Sequence, residues 1–381
     1  MDWRIPLSDL DYGLEEEQAV LGVLRSHWLT MGEVTRRFEQ EFAAFIGARH
    51  AVAVSNATAG LHLACLTLGL KPGDEVILPA LTFVATAAAV RYVGATPVFA
   101  DVASLTDLTV SPLSIAARIT PRTRAIIVMH YGGYPCDMPA IEALAQKHGL
   151  AILEDAAHAP GAAIAGRSVG TWGAISAFSF FSNKNLVTGE GGMLTTDDDL
   201  FAEKLRTLRS HAMTSLTWDR HQGHAWSYDV TDLGYNYRPS EITSALGLAQ
   251  LHKLERNNQR RRHLTAAYHR LLAEKCPRVG LPFAAHPGTP VCHLLPILLP
   301  PQVDRVQFTS GMKSRGIQTS FHYPPVSDFR FYQRASHPLE ALPWTRQAAD
   351  REVTLPLYPT LTVEDVAVVV DAVDETLRAL F

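Results

Sequence analysis

The sequence has no long uncharged apolar run of the kind that spans a bilayer, so no transmembrane helix is expected. It has no basic stripe either: 34 Lys and Arg against 38 Asp and Glu leave a net charge of −4 with the signs interspersed, and nucleic acid is excluded as an expected partner. Only four cysteines occur, Cys65, Cys136, Cys276 and Cys292, far apart and without a C-x-x-C pair. They read as reduced thiols, and none is a candidate nucleophile. The segment Met1 to Pro6 lacks a charged stretch leading into an apolar one, so no secretory signal is expected and the expected location is cytoplasmic. Internal repeats and low-complexity segments are also missing.

What is there is globular: 47% hydrophobic and 19% charged residues, in a chain of 381 that favours two domains or one large domain with an appendage. From about residue 50 to 200, short β-type runs (51–55, 75–79, 97–100, 125–129, 150–154, 174–180 and 192–196) alternate with helical spacing over 58–70, 82–92 and 138–148, and more weakly over 111–118. This pattern predicts an α/β fold with a mainly parallel seven-stranded sheet flanked by helices. Residues 211–237 read as a long polar loop, and helical spacing resumes at 239–255 and continues past Asn257 and Asn258 to about 275. A proline-rich stretch from Pro277 to Pro301 leads into a smaller C-terminal α+β region: strand 292–299, helix 303–315, strand 316–321, helix 344–351, strand 353–356 and closing helix 363–379. The expected division is a large domain over 1–250, with its N-terminal segment, and a linking helix with a small domain over 251–381.

Ligands of such sheets collect beyond the carboxyl ends of the strands. There, Ala151-Ile152-Leu153-Glu154-Asp155 runs an apolar strand into carboxylates, and Asp155 is either a catalytic acid or a cap of the next turn. Lys184 follows another apolar strand and precedes the glycine-dense Thr188-Gly189-Glu190-Gly191-Gly192. Alone it reads as a surface lysine. Paired with Asp155 it gains a role, because pyridoxal phosphate requires a lysine for its aldehyde and an acid for its ring nitrogen. The cofactor's phosphate would sit on Ser55-Asn56-Ala57-Thr58-Ala59-Gly60, a small-residue turn opening a helix, where a plain N-cap by Ser55 or Thr58 is equally compatible. Ser179 offers a further hydroxyl, and Phe83, just past a strand end, offers a ring to cover the cofactor's face or a core side chain.

Together these segments resemble the DegT/StrS group of nucleotide-sugar aminotransferases, within the aspartate-aminotransferase-like fold type I pyridoxal-phosphate enzymes. The resemblance extends over nearly the whole chain, from Trp28-Leu29-Thr30-Met31-Gly32 and Lys71-Pro72-Gly73-Asp74 through Glu154-Asp155-Ala156-Ala157-His158 and Gly234-Tyr235-Asn236-Tyr237-Arg238 to His322-Tyr323-Pro324-Pro325 and Leu355-Pro356-Leu357-Tyr358-Pro359. It implies Lys184 as the Schiff-base lysine and proton carrier, Asp155 on the ring nitrogen, His158 on the ring-hydroxyl side and Phe83 on the ring face. Ala57, Thr58 and Ser179 would hold the phosphate, joined by Asn236 of the neighbouring subunit in a homodimer. Thr30, Arg238, His322 and Tyr323 would meet the substrate, and no metal is implied. The implied reaction is ping-pong transfer from an amino acid, glutamate by analogy, through pyridoxamine phosphate to a nucleotide-linked 4-keto-6-deoxyhexose or 3-keto relative. A non-nucleotide acceptor (cyclitol, amine or ketone) and a non-catalytic regulator on the same fold stay open as alternatives; a sugar dehydratase is opposed by Lys184 itself. Three departures fall on the acceptor side: Ser327 where a second histidine is common, Ala212 where glycine is frequent, and a His221/His224 pair in the polar loop.

Overall fold

The computed structural model describes residues 3–215, 223, 227–335 and 341–380. Seven strands form one sheet: β1 (His50–Val54), β2 (Glu75–Pro79), β3 (Thr96–Ala100), β4 (Thr123–Met129), β5 (Ala151–Asp155), β8 (Ile175–Ser179) and β9 (Gly192–Thr196), in the order β1-β9-β8-β5-β4-β2-β3. Only β9 runs against its neighbours. The short β6 (Ala163–Ile164) and β7 (Arg167–Ser168) pair apart from the sheet. Both faces of the sheet are covered, which is why its strands read as apolar runs rather than as alternating ones. The alternation is nevertheless present in three dimensions: Val76 and Leu78 of β2 enter one core while Ile77 enters another, and Ala125 and Ile127 of β4 part from Ile126 and Val128 in the same way.

The helices that follow these strands are α1 (Leu14–Ser26) and α2 (Glu33–Ile46) before the sheet, then α3 (Ala57–Thr67), α4 (Val84–Tyr92), α5 (Pro112–Ala116), α6 (Met138–His148) and α7 (Asp199–Leu208). A 35-residue helix, Glu241–Lys275, then runs without a break through Asn257 and Asn258. These asparagines do not end it because Asn258 is buried with its amide satisfied, donating to Pro160 O at 2.9 Å and accepting from Asn185 Nδ2 at 2.9 Å. Leu248, Leu251 and Leu254 of this helix lie in one core, and Leu264, Tyr268 and Leu272 in another with the C-terminal elements.

Those elements are the pair β10 (Leu295–Leu298) and β11 (Glu352–Leu355), helices Arg305–Ser314 and Pro343–Arg351, and the closing helix Val363–Leu380. The strand expected over 316–321 is not formed. Ile317 bridges Ile5 and Ser320 bridges Thr354, so the segment crosses between two partners and forms an isolated bridge with each instead of a ladder. His221 and His224 lie outside the described residues. Among the described residues no helix is long and apolar enough to cross a membrane, no group of three or more metal-ligating side chains occurs, and all four cysteines are free and buried.

Because β1, β2, β4, β5 and β8 point the same way, the segments after them share one edge of the sheet. Residues 55–58, 80–83, 130–133, 156–158 and 180–184 are brought there together.

Candidate active site

Asp155 ends β5, flanked by β4 and β8, with its backbone in register with Met129 and Ala177. Successive side chains of a strand face opposite ways, and the Glu154-Asp155 pair uses this. Glu154 is fully buried and accepts from the backbone N–H groups of Gly170 (3.0 Å), Trp172 (2.8 Å) and Gly173 (2.8 Å) and from Ser176 Oγ (2.7 Å). Burial opposes its charge, but His130 and these donors hold it below the usual carboxylate range. Glu154 therefore ties the 170–173 loop beneath the strand, and Asp155 is left for the other side.

Asp155 accepts from Thr86 Oγ1 at 2.6 Å and from Ala157 N–H at 3.2 Å, and Thr86 in turn contacts Thr82 Oγ1 at 2.7 Å. It forms no ion pair within 4 Å among the described residues. Burial pushes its carboxyl above the ordinary range, with these hydrogen bonds and the charge of Lys184 pulling the other way. Lys184 sits in a turn closed by its N–H on Phe181 O, inside a loop fastened by Phe180 to Gly191 and Thr188. The next residue, Asn185, is buried and anchored to Asn258, Val291 O and His293 Nδ1. Desolvation lowers the Lys184 amine to about 8, against the pull of Asp155.

Around this pair stand neutral imidazoles. His158 is buried, accepts at Nδ1 from Gly132 N–H, and meets Tyr323 Oη at Nε2 (3.1 Å). His293 lies 4.4 Å from it, ring centre to ring centre. Burial and then Lys184 depress His158, and burial depresses His293, well below the ordinary histidine value. His322, joined to Tyr323 by a cis peptide bond, is lowered to about 4 by desolvation and by Lys184. Phe83 is the N-cap of α4 and is 53% exposed, so it is not a core side chain. Its ring lies 5.9 Å from that of Tyr323, at the edge of a cavity of about 420 Å³ shared with Thr82, Val84, Pro324 and Phe329.

At the other end of the cleft, α3 begins on the turn after β1. Its cap is Asn56, whose Oδ1 accepts from Ala59 N–H at 2.8 Å, rather than Ser55 or Thr58; the Ser55 N–H is taken by Tyr237 O. The N–H groups of Ala57 and Thr58 have no acceptor among the described residues. Gly192 pairs with both Val54 and Ser179, bringing Ser179 beside this helix start. A Cβ on Gly192 would stand 2.7 Å from Asn56 C and 2.8 Å from Ala57 N, so only glycine permits the approach.

The remaining candidates are not drawn into this cluster. Thr30 is exposed and bridges Ser240. Asn236 is exposed, on a bridge to Ser210. Arg238 is half-buried, with Nη1 lacking a partner, and is lowered by burial and by Arg209. Ser327 is fully buried and donates to its neighbour Asp328, so it faces protein rather than cleft. Ala212 has φ 52°, which explains the frequent glycine there. Sequence reasoning missed Thr86 and His293. Thr86 alone carried a signal, lying one helical turn beyond Thr82 beside Phe83.

The sequence profile described as the DegT/DnrJ/EryC1/StrS aminotransferase family matches residues 11–374. The chain belongs to that family. It is 42% identical over 372 residues to the spore coat polysaccharide biosynthesis protein SpsC of Bacillus subtilis (strain 168), covering 96% of this chain and 95% of that protein. Among solved structures it is similar to DesV of S. venezuelae, with 37% identity, a TM-score of 0.90 and 98% of both chains covered. It is also similar to DesI, solved in the presence of its TDP-sugar product, with 32% identity, a TM-score of 0.86, and 99% of this chain and 92% of that one covered. The fold is the fold type I aminotransferase fold, and the protein is an enzyme of the aminotransferase class.

Proposed function

We propose that this enzyme uses pyridoxal phosphate to move an amino group from an amino acid, glutamate by family analogy, to a keto-sugar carried on a nucleotide. One observation carries the reading: a buried carboxyl without a cationic partner, Asp155, stands within electrostatic reach of a lysine whose amine is lowered to about 8. The residues fit the cofactor. The unpaired Asp155 suits a protonated ring nitrogen, the free N–H groups of Ala57 and Thr58 with Ser179 suit a phosphate, and the exposed Phe83 ring suits a stacked face. When bound, the cofactor supplies the aldehyde that takes up the donor's amine and the ring that accepts the electrons of the broken C–H bond.

The chain's own part is proton management. Lys184, with an amine near 8, is uncharged often enough at neutral pH to take the proton from the donor carbon and to return it on the other side of the transfer. Asp155 would keep a proton on the ring nitrogen, and Thr86 holds the carboxyl in place by donating to it. His158, neutral and fixed by Gly132 and Tyr323, would face the ring-hydroxyl side of the cofactor. Asn236, exposed in its own subunit, would complete the phosphate site of the partner in a homodimer. Thr30, Arg238, His322 and Tyr323 would meet the acceptor. A nucleotide sugar as acceptor is supported by DesI with its TDP-sugar and by the role of SpsC in polysaccharide synthesis.

The test is direct. The purified protein is expected to show a visible absorption band that borohydride abolishes and that Lys184→Ala lacks. With glutamate and a panel of nucleotide keto-sugars, it should release 2-oxoglutarate. Amination of free cyclitols, amines or ketones but of no sugar would overturn the acceptor class, and an inactive protein without the band would favour the regulator.

A further inference from the structure

Glu352 opens β11 and is 1% exposed. Its Oε2 accepts the backbone N–H of His322 at 2.7 Å, and its Oε1 lies 2.5 Å from Thr354 Oγ1. Thr354 Oγ1 is in turn 2.7 Å from His322 Nδ1. The ring's Nε2 has no partner among the described residues, and His322 is part-exposed with Lys184 among the groups acting on it. Three side chains thus form a line from a buried carboxyl to an imidazole at the cleft.

The direction of the protons along that line follows from charge. No cationic side chain among the described residues lies within 4 Å of the Glu352 carboxyl. Arg305, whose charge acts on it, spends its Nη1 on the carbonyls of Ala349 and Glu352. Removal from water without an adjacent counter-charge favours the protonated carboxyl, and burial pushes Glu352 up to about 8 against the pull of the Thr354 and His322 hydrogen bonds and of Arg305. With the proton retained and Oε2 accepting from the His322 N–H, Oε1 is left to donate to Thr354 Oγ1, the reverse of the bond that an ionised Glu352 would accept from that hydroxyl. The threonine hydroxyl has a single hydrogen, which then goes to His322 Nδ1. The ring's own proton is left on Nε2. The other titratable groups packed here do not compete for Nδ1: Tyr131 donates to His322 O, and Tyr323 is turned to His158.

We propose that Glu352 and Thr354 are positioning residues that hold His322 as its Nε2–H tautomer, so that the ring offers the acceptor substrate a hydrogen-bond donor. The group selected is then an oxygen with a free lone pair, such as a ketone, hydroxyl or phosphate oxygen, rather than an ammonium. The inference rests on the reading of His322 as an acceptor-side residue. An ionised Glu352 would reverse every bond in the line and leave Nε2 as an acceptor, so the two orders are experimentally distinct.

The experiment is ¹⁵N-histidine NMR of the holoenzyme near neutral pH, with His322→Gln to assign the signals, a readout independent of turnover. The ring is expected to be protonated at Nε2 in the wild type and in Glu352→Gln, whose amide can donate to Thr354 in the same sense, and to lose this preference in Thr354→Val. In steady-state assays Thr354→Val should lose about tenfold in kcat/KM for the keto acceptor, the worth of one hydrogen bond. The loss for the amino donor should be less than threefold, and Thr354→Ser should restore the acceptor value. Protonation at Nδ1 in the wild type, a tautomer flip in Glu352→Gln, or an equal loss on both substrates would overturn the proposal. A panel in which no nucleotide sugar is aminated overturns the acceptor reading of the preceding section and leaves the tautomer result standing.

Discussion

Thr86→Val isolates a contact that supports Asp155 and leaves the carboxylate itself in place. The substitution keeps the shape of the side chain and removes the hydroxyl that donates to Asp155 Oδ2 at 2.6 Å. A hydrogen bond to a charged group contributes about 1.5 to 3 kcal/mol. Asp155 already has burial raising its carboxyl, with Thr86 the first of the opposing influences. Losing the bond therefore raises Asp155 further. The more basic carboxyl would then draw the shared proton toward itself, and the ring nitrogen would keep it less often. On the proposed mechanism Asp155 serves both halves of the reaction, so kcat/KM should fall about 10- to 100-fold for the amino donor and the keto acceptor alike. Thr86→Ser, which restores the donor, should recover most of the loss. The assay is the rate of each half-reaction measured separately, with thermal unfolding as a control for folding. A loss under threefold, or one confined to a single half-reaction, would refute the assignment of Thr86 to Asp155's electrostatics.

Three further outcomes follow from other contacts. Gly192→Ala drives a methyl to within 2.8 Å of Ala57 N, so the start of α3 must retreat; overpacking of about 1 to 3 kcal/mol is expected in urea unfolding, with weaker retention of the cofactor on dialysis. Glu154→Ala strands the N–H groups of Gly170, Trp172 and Gly173, and should cost about 3 to 5 kcal/mol at neutral pH. Since Glu154 is held below the usual carboxylate range, its contribution is complete above that range and fades as pH falls through the lowered value, so wild type and variant should converge in strongly acidic unfolding titrations. Only the uncharged Lys184 amine attacks an aldehyde, and with the amine at about 8, pyridoxal phosphate should rebind the cofactor-free enzyme about tenfold faster per pH unit up to that point and level off beyond it. A rate still climbing steeply at pH 10 would show the amine to be unperturbed.

The parts of this molecule that local chemistry dictates were readable in the sequence. The strand runs matched the sheet to within a residue or two because each strand is covered on both faces and so is written as apolar residues bounded by turns. Asp155 and Lys184 could be paired because both follow apolar strands, and parallel strands deliver their ends to one edge. What local pattern does not encode is which residue wins when several can do the same work. Ser55, Asn56 and Thr58 are all competent caps, and the fold uses Asn56, while the Ser55 N–H is taken by Tyr237 O from 182 positions away.

The same limit explains why the supporting residues were invisible. Thr86 reaches Asp155 across 69 positions, and Thr354 reaches His322 across 32. A threonine in a helix and a threonine in a strand are unremarkable until the fold sets a buried carboxyl or an imidazole against the hydroxyl. Phe83 shows the converse: its residue type argued for the core, and the fold leaves its ring facing the cleft. The residues proposed to react are announced by their neighbours in sequence, whereas the groups proposed to set their protonation come from elsewhere in the chain. Substitutions that tune the enzyme without disabling it are therefore to be sought at Thr86, Thr354 and Glu352 rather than in the motifs themselves.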